Sequence, residues 1–214
     1  MKMKSDNKMK ILIENRKKQI LDAAVTVFSK EGFSNANTDD IAKKAKLGKG
    51  TIFRYFKNKK ILFCSAVDRG LNSLKDEIIS EVEKVSDPLK KIEKIVGSYL
   101  SFFEKNKKLI GILVHEQSSF QKRIASQYLN HYYGNVDRIK LIFKKALSQG
   151  LIKKMDINEV ITVLTGLLNG IVYMWQVEGG KDKLTNKVSV ILEIFFNGII
   201  KNEVRGKKHV RVSV

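Results

Sequence analysis

Proline is almost missing from this chain. Pro88 is the single one in 214 residues, so little in the sequence interrupts helical runs. With 43% hydrophobic residues, a chain of this length can bury a proper core and reads as globular and helical. Cysteine is reduced to Cys64, which excludes a disulfide framework and fits a reducing cytoplasm. Cys64, with no second cysteine in the chain, sits in an apolar helical run, as a small packing residue does. Histidine is equally sparse. His115, His131 and His209 have neither a Glu three residues before them nor a second His at i+4. Neither a carboxylate-bridged di-iron bundle nor a zinc-protease helix can be built, and no metal or cofactor is expected. No long apolar run follows the basic start: Ile11 to Ile13 is too short for a signal-peptide core. Charges are read as interrupting the remaining apolar stretches before the roughly 18 residues of a membrane span. The expectation is a cytoplasmic protein with no membrane partner.

Acidic residues are also in short supply, with 22 Asp and Glu against 41 Lys and Arg for a net charge of +19. Residues 1–60 hold 16 of those cations and 6 of the acids, which places more than half of the excess there. That asymmetry suits an N-terminal part that neutralises phosphates.

The stretch from Asn37 to Phe56, NTDDIAKKAKLGKGTIFRYF, supplies the corresponding architecture. A first helix can be capped by Asn37 or Thr38, with Asp39 and Asp40 at the positive end of its dipole. Ile41, Ala42 and Ala45 form its apolar face. Lys46, Leu47 and Gly48 break the pattern with an apolar residue before a glycine, which is what a three- or four-residue turn between crossed helices requires. A second helix starts near Lys49. At about 100° per residue, Ile52 and Phe56 point inward, Gly50, Thr51 and Arg54 outward, and Phe53 and Tyr55 lie on the flanks. Arg offers bidentate donors to guanine, and Thr a hydroxyl and a methyl, so this face can meet base edges.

From Arg16 to about Leu74 the chain resembles the TetR (tetracycline-repressor-like) family of bacterial transcriptional regulators. Arg16, ILDAAVTVFSKEGF, TDDIAKKA, GKGTIFRYFKNK and the apolar helix that follows all fall in register. The resemblance implies that Lys49, Gly50, Thr51, Phe53, Arg54 and Tyr55 lie against the major groove, with Thr38 and Lys59 on phosphates. The family usually has Tyr where Phe53 stands, His where Tyr55 stands, and often Ser where Gly48 stands.

Taken in order, residues 1–13 read as a mobile basic arm, and the first helix runs from about Glu14 to Lys30 with Gly32 ending it. Arg16, Lys17 and Lys18 crowd its first turns against the dipole, for which nearby phosphate is a reason. After the helix-turn-helix domain (residues 14–60) a long helix runs from Lys60 to about Ser86. Asp87 and Pro88 start the next helix in cap-then-N1 order. A short apolar segment from Leu109 to Val114 precedes a helix begun at Ser118 or Ser119 and closed by Gly150. Asp156 and Glu159 resemble a capping box. The helix behind them carries small Thr162, Gly166 and Gly170 on its second side. The last helix, about Thr185 to Asn202, is apolar almost all round and must be covered on every face, by its own core and by a second subunit. Residues 203–214 are a basic tail.

Rival chemistry finds no support. Gly48 to Thr51 lacks the first glycine, the final hydroxyl and the preceding strand of a phosphate loop. Ser118 and Ser119 near His115 have no nucleophile elbow, so no catalytic residue is assigned. Phe103, His115, Phe120, Tyr128, Tyr132, Asn169, Tyr173 and Trp175 are candidates for an effector pocket with apolar walls and a few orienting groups. The fold class expected is all-α, about nine helices, with a three-helix DNA-binding head and a ligand-binding and dimerisation domain over residues 61–202. The expected function is a repressor bound to a double-stranded inverted-repeat operator as a homodimer through its last two helices, and released by a small apolar or aromatic effector. The alternative is a nucleoid-type protein that coats DNA without an effector.

Overall fold

The structure, a computed structural model, describes the backbone of residues 2–117 and 137–197, and the side chains of 7–113 and 137–197. The candidates His115, Phe120, Tyr128 and Tyr132, the helix start at Ser118 or Ser119 and the basic tail lie outside the residues so described.

The described residues form nine α-helices, one short 3-10 helix and no strand. Helices α1 (Lys2–Asn35), α2 (Thr38–Ala45) and α3 (Lys49–Tyr55) make the head. Helix α4 (Lys59–Glu83) leads to α5 (Pro88–Lys105), α6 (Lys107–Gln117) and α7, described over 137–148. Helix α8 (Ile157–Val177), the 3-10 turn Leu184–Lys187 and α9 (Val188–Asn197) complete it.

Helix α1 reaches back to Lys2, through the residues expected to be an arm. Arg16, Lys17 and Lys18 are therefore mid-helix, not first-turn, and the dipole argument for them falls away. Arg16 Nη1 donates to Gln19 Oε1 at 3.0 Å, and Lys17 pairs with Glu14 at 3.1 Å. Gly32, at φ 68° and ψ 176°, is the residue of α1 off helical geometry. Past it Phe33 turns back onto Phe28 and Phe63.

The caps form largely where side-chain chemistry places them. Asn37 accepts from Asp39 N, Asn58 from Ile61 N, Asp87 from Lys90 N and Asp156 from Asn158 N. Helix α6 follows α5 after the single residue Asn106, so the expected short apolar segment is the body of a helix. Gly150, at φ 68°, closes α7: its N–H reaches Leu147 O and the Leu151 N–H reaches Ala146 O.

Two apolar clusters divide the molecule. The head cluster joins Ile20, Ala24 and Phe28 of α1 to Ile41, Ile52, Phe56, Phe63 and Val67, and also takes in Leu71 of α4 and Ile112 of α6. The body cluster begins at Leu74 and gathers Ile92, Leu100, Phe103, Phe143, Leu164, Leu168, Trp175 and Ile191. Helix α4 passes from one to the other within a single turn. Helix α6 is wedged between them by close packing. A Cβ at Gly111 would stand 3.0 Å from Ser29 O on α1, and one at Gly70 would stand 2.8 Å from the Leu109 side chain.

Helix α8 corrects the reading of charge interruptions. It is long and apolar enough to cross a membrane by length and composition, because residues 160–177 hold no charge. One face, Ile161, Leu164, Leu168, Val172 and Trp175, is buried in the body cluster. The other carries exposed Val163, Met174 and Val177 with Gly166 and Gly170, where an added Cβ would meet nothing within 4 Å. On α9, Val190 and Ile194 are likewise exposed.

Candidate nucleic-acid interface and effector cavity

The turn between α2 and α3 is built by hydrogen bonds more than by glycine. Lys46 takes the left-handed conformation at φ 53°, held as the Lys46 N–H reaches Lys43 O and the Leu47 N–H reaches Ala42 O, each at 3.0 Å. Gly48 is extended at φ −72° and ψ 146°. It is the N-cap of α3 without a side-chain hydrogen bond. Gln19 Nε2 braces the corner from α1 by donating to Ala45 O at 2.7 Å.

Helix α3 presents the face its sequence implies. Ile52 and Phe56 are buried, while Lys49, Gly50, Phe53 and Arg54 are exposed and Thr51 is half-exposed. The Arg54 guanidinium lies 5.6 Å from the centre of the Tyr55 ring, and Tyr55 itself packs against the head cluster. Lys49 Nζ pairs with Asp39 at 2.9 Å across the turn. That pair is exposed, so phosphate can compete for the ammonium.

Two expected phosphate contacts sit differently. Thr38 is buried at the start of α2, 8% exposed. Lys59 Nζ donates to Ser34 O at 3.1 Å and Ala36 O at 2.8 Å and lies 4.9 Å from the centre of the Phe33 ring. Its ammonium binds the start of α4 to the end of α1, so two of its three donors are already engaged within the head.

A cavity of about 330 Å³ opens in the body, near the lower end of the roughly 300–1,000 Å³ usual for small-molecule sites. Its walls are mainly aliphatic: Leu71, Leu74, Ile78 and Val82 from α4, Ile95 from α5, and Leu164 and Leu168 from α8. Helix α7 lends Ile139 and Ile142. Lys75, Lys91, Arg138 and Glu83 also line it, and none of the three cations has an ion-pair partner among the described residues.

Of the ligand candidates described, Phe103 lines this cavity beside Tyr99. Asn169 stands behind it, accepting from the Tyr99 hydroxyl. Tyr173 lies on the exposed side of α8, away from the lining. Trp175 belongs to a separate corner of the body. Its Nε1 donates to Asp182 O at 2.8 Å, and Lys107 Nζ sits 5.0 Å from its ring centre while donating to Gly180 O at 2.6 Å. Close by, Glu104 accepts from Thr185 N at 2.9 Å and Thr185 Oγ1 at 3.1 Å. The Thr185 amide bond is the main reason its carboxyl is held below the usual value. The aliphatic lining was not among the residues expected from the aromatics in the sequence. Its signal was the apolar face of α4, which continues beyond Leu71 although the head cluster ends there.

Residues 20–66 match the family of bacterial regulatory proteins described as the tetR family. The chain is 25% identical over 189 residues to the fatty acid metabolism regulator protein of Bacillus subtilis, covering 85% of this chain and 94% of that protein. Among solved structures, it is similar to the fatty acid degradation regulator FadR from Bacillus halodurans. The TM-score is 0.81 and the identity 23%, over 86% of this chain and 96% of the other. It is also similar to FadR from Bacillus subtilis, solved in complex with stearoyl-CoA: the TM-score is 0.77 and the identity 22%, over 85% and 98%. The structural likenesses establish the fold.

Proposed function

Because the chain belongs to the tetR family of bacterial regulatory proteins, we propose that it is a repressor which grips an inverted-repeat operator as a homodimer and releases it when an aliphatic effector enters the body cavity. The observation that carries this is α4. Leu71 belongs to the head cluster and also lines the cavity, one turn before Leu74 opens the body cluster. An occupant that moves α4 therefore moves the head, and it shifts the equilibrium only as far as it prefers one head position over the other.

The lining favours a flexible hydrocarbon chain over the aromatic compound that the sequence also allowed. Lys75, Lys91 and Arg138, without an ion-pair partner among the described residues, favour an anionic head on that chain. A relative solved with stearoyl-CoA has such a ligand. For the dimer, exposed Val163, Gly166, Gly170, Met174 and Val177 recur on one side of α8, and Val190 and Ile194 of α9 are exposed as well. Small residues there let a partner helix approach closely. By symmetry, half-sites fall at whole-turn spacing, about 34–36 Å or a multiple.

The deciding experiment selects a duplex from a random pool with this protein, then titrates saturated fatty acids and acyl-coenzyme A esters of increasing length. Loss of DNA binding at one range of lengths is expected. If every compound leaves the affinity for the selected duplex unchanged, the effector-free nucleoid reading replaces this one.

A further inference from the structure

Helix α1 is longer than the head requires. Its first fully buried residue is Ile20, yet its backbone is helical back to Lys2. Three contacts fix where the surplus goes. On the body side, Thr26 Oγ1 accepts from Lys108 Nζ at 3.2 Å, and Ser29 meets Gly111 of α6. At the corner between α2 and α3, Gln19 holds Ala45 O. Gly32 is the residue of α1 off helical geometry, so 29, 26 and 19 follow one another along a single axis leading out of the body. Residues 2–18 continue that axis past the corner from which the recognition helix starts. At 1.5 Å per residue, the stretch from Gln19 to Lys2 is about 25 Å long.

The charge of this stretch has one sign. Positions 2–18 hold seven Lys or Arg against Asp6 and Glu14, and Glu14 is paired with Lys17. Lys8 and Lys10 are exposed and have no acidic partner among the described residues. We propose that the projecting part of α1, residues 2–13, lies in a groove of the duplex that flanks each half-site, with Lys8 and Lys10, about 160° apart around the helix, on the phosphates of its two walls. The inference rests on the operator-binding reading and extends the footprint by about five base pairs per head, since residues 2–13 span about 17 Å and the duplex rises about 3.4 Å per base pair. Exposed Met9, Ile11 and Leu12 would also suit an anionic lipid surface. Continuity with α3 favours DNA, since the extension leaves the head at the same corner as Lys49, Gly50 and Arg54.

The test uses the full chain and the duplex it selects from a random pool, in two lengths. One is trimmed to the half-sites and the other carries about ten further base pairs on each side. The wild type is expected to bind the longer duplex several-fold more tightly, with a steeper salt dependence. The double variant Lys8→Gln, Lys10→Gln should bind both lengths alike, with a log–log salt slope shallower by about two per head. Lys8→Arg with Lys10→Arg should restore the wild-type pattern, and unchanged circular dichroism excludes a folding defect. If the Gln variant keeps the wild-type dependence on length and salt, the extension does not touch DNA, although operator binding stands. Binding of wild type but not the Gln variant to phosphatidylglycerol vesicles, with no effect of duplex length, assigns the extension to a lipid surface and overturns the proposal. Failure of the wild type to select any duplex removes the operator reading and this inference together.

Discussion

At Gly50 an added Cβ would meet no atom of the described residues within 4 Å beyond its chain neighbours and its own helical backbone, and a helical glycine is less stable than alanine by roughly 0.5–1 kcal/mol. Gly50→Ala is expected to raise the urea midpoint while weakening operator binding, because DNA is the one neighbour left to occupy that space. Equal operator affinity with higher stability would mean that α3 does not approach a groove there. Arg54→Ala should cost roughly 1–3 kcal/mol on the selected operator and much less on random DNA, since a base-reading side chain specifies sequence and a phosphate-binding one does not. An unchanged ratio of operator to random affinity would shift base reading to Phe53. Lys59→Ala should act on folding, lowering stability by about 1 kcal/mol through lost charged hydrogen bonds, and should leave the salt slope of DNA binding nearly unchanged. The inward turn of Ile52 and Phe56 was readable because it depends only on spacing within seven residues. The engagement of Lys59 was not, because its acceptors lie 23 and 25 residues earlier and are brought near only by the turn at Gly32.

Among the elements, the 3-10 turn Leu184–Lys187 depends on one carboxylate. Glu104 receives both the amide and the hydroxyl of Thr185, and its pKa is lowered from 4.5 chiefly by the amide bond. Because the folded value is depressed, the stabilisation is fully present above pH 4.5 and is lost as pH falls through the lowered folded value. Urea midpoints of wild type and Glu104→Gln should therefore differ at pH 7 and converge as the pH is brought well below 4.5. A difference that persists unchanged into acid would assign the effect to packing alone. The helices themselves were readable from caps and periodicity, since Asn37, Asn58, Asp87 and Asp156 act on residues two or three positions ahead. The cavity was not, because its walls come from single faces of α4, α5, α7 and α8 that meet only after folding. Trp175, prominent among the aromatics, is drawn instead to Asp182 O by its own following loop.

For the whole molecule, the dimer is tested at its exposed apolar side. An apolar last helix makes Phe195 an obvious target from sequence, but its ring packs 6.3 Å from Phe143 and 5.6 Å from Phe196, so Phe195→Glu would damage the body itself. Ile194, 43% exposed, and Met174, 51% exposed, are cleaner positions. Ile194→Glu with Met174→Glu should give a folded monomer in sedimentation at micromolar concentration, with operator affinity falling toward that of a single head. A variant that still sediments as a dimer would place the partner on another surface.

The pinning of Lys107 to Gly180 O and Trp175 gives α6 a fixed end, and Gly111, four residues on, presses against α1 at Ser29. Together they make a lever with its fulcrum at the corner of the body. Small rotations of α6 are passed to α1 at Ser29 and read out at Gln19, which braces the α2–α3 corner. Gln19 lies ten residues from Ser29, about 15 Å along the helix, so a tilt of about 10° carries the α2–α3 corner through nearly 3 Å. A hydrogen bond to a base edge tolerates only about half an ångström in length, so a displacement of that size would disengage α3 while leaving every helix of the head intact.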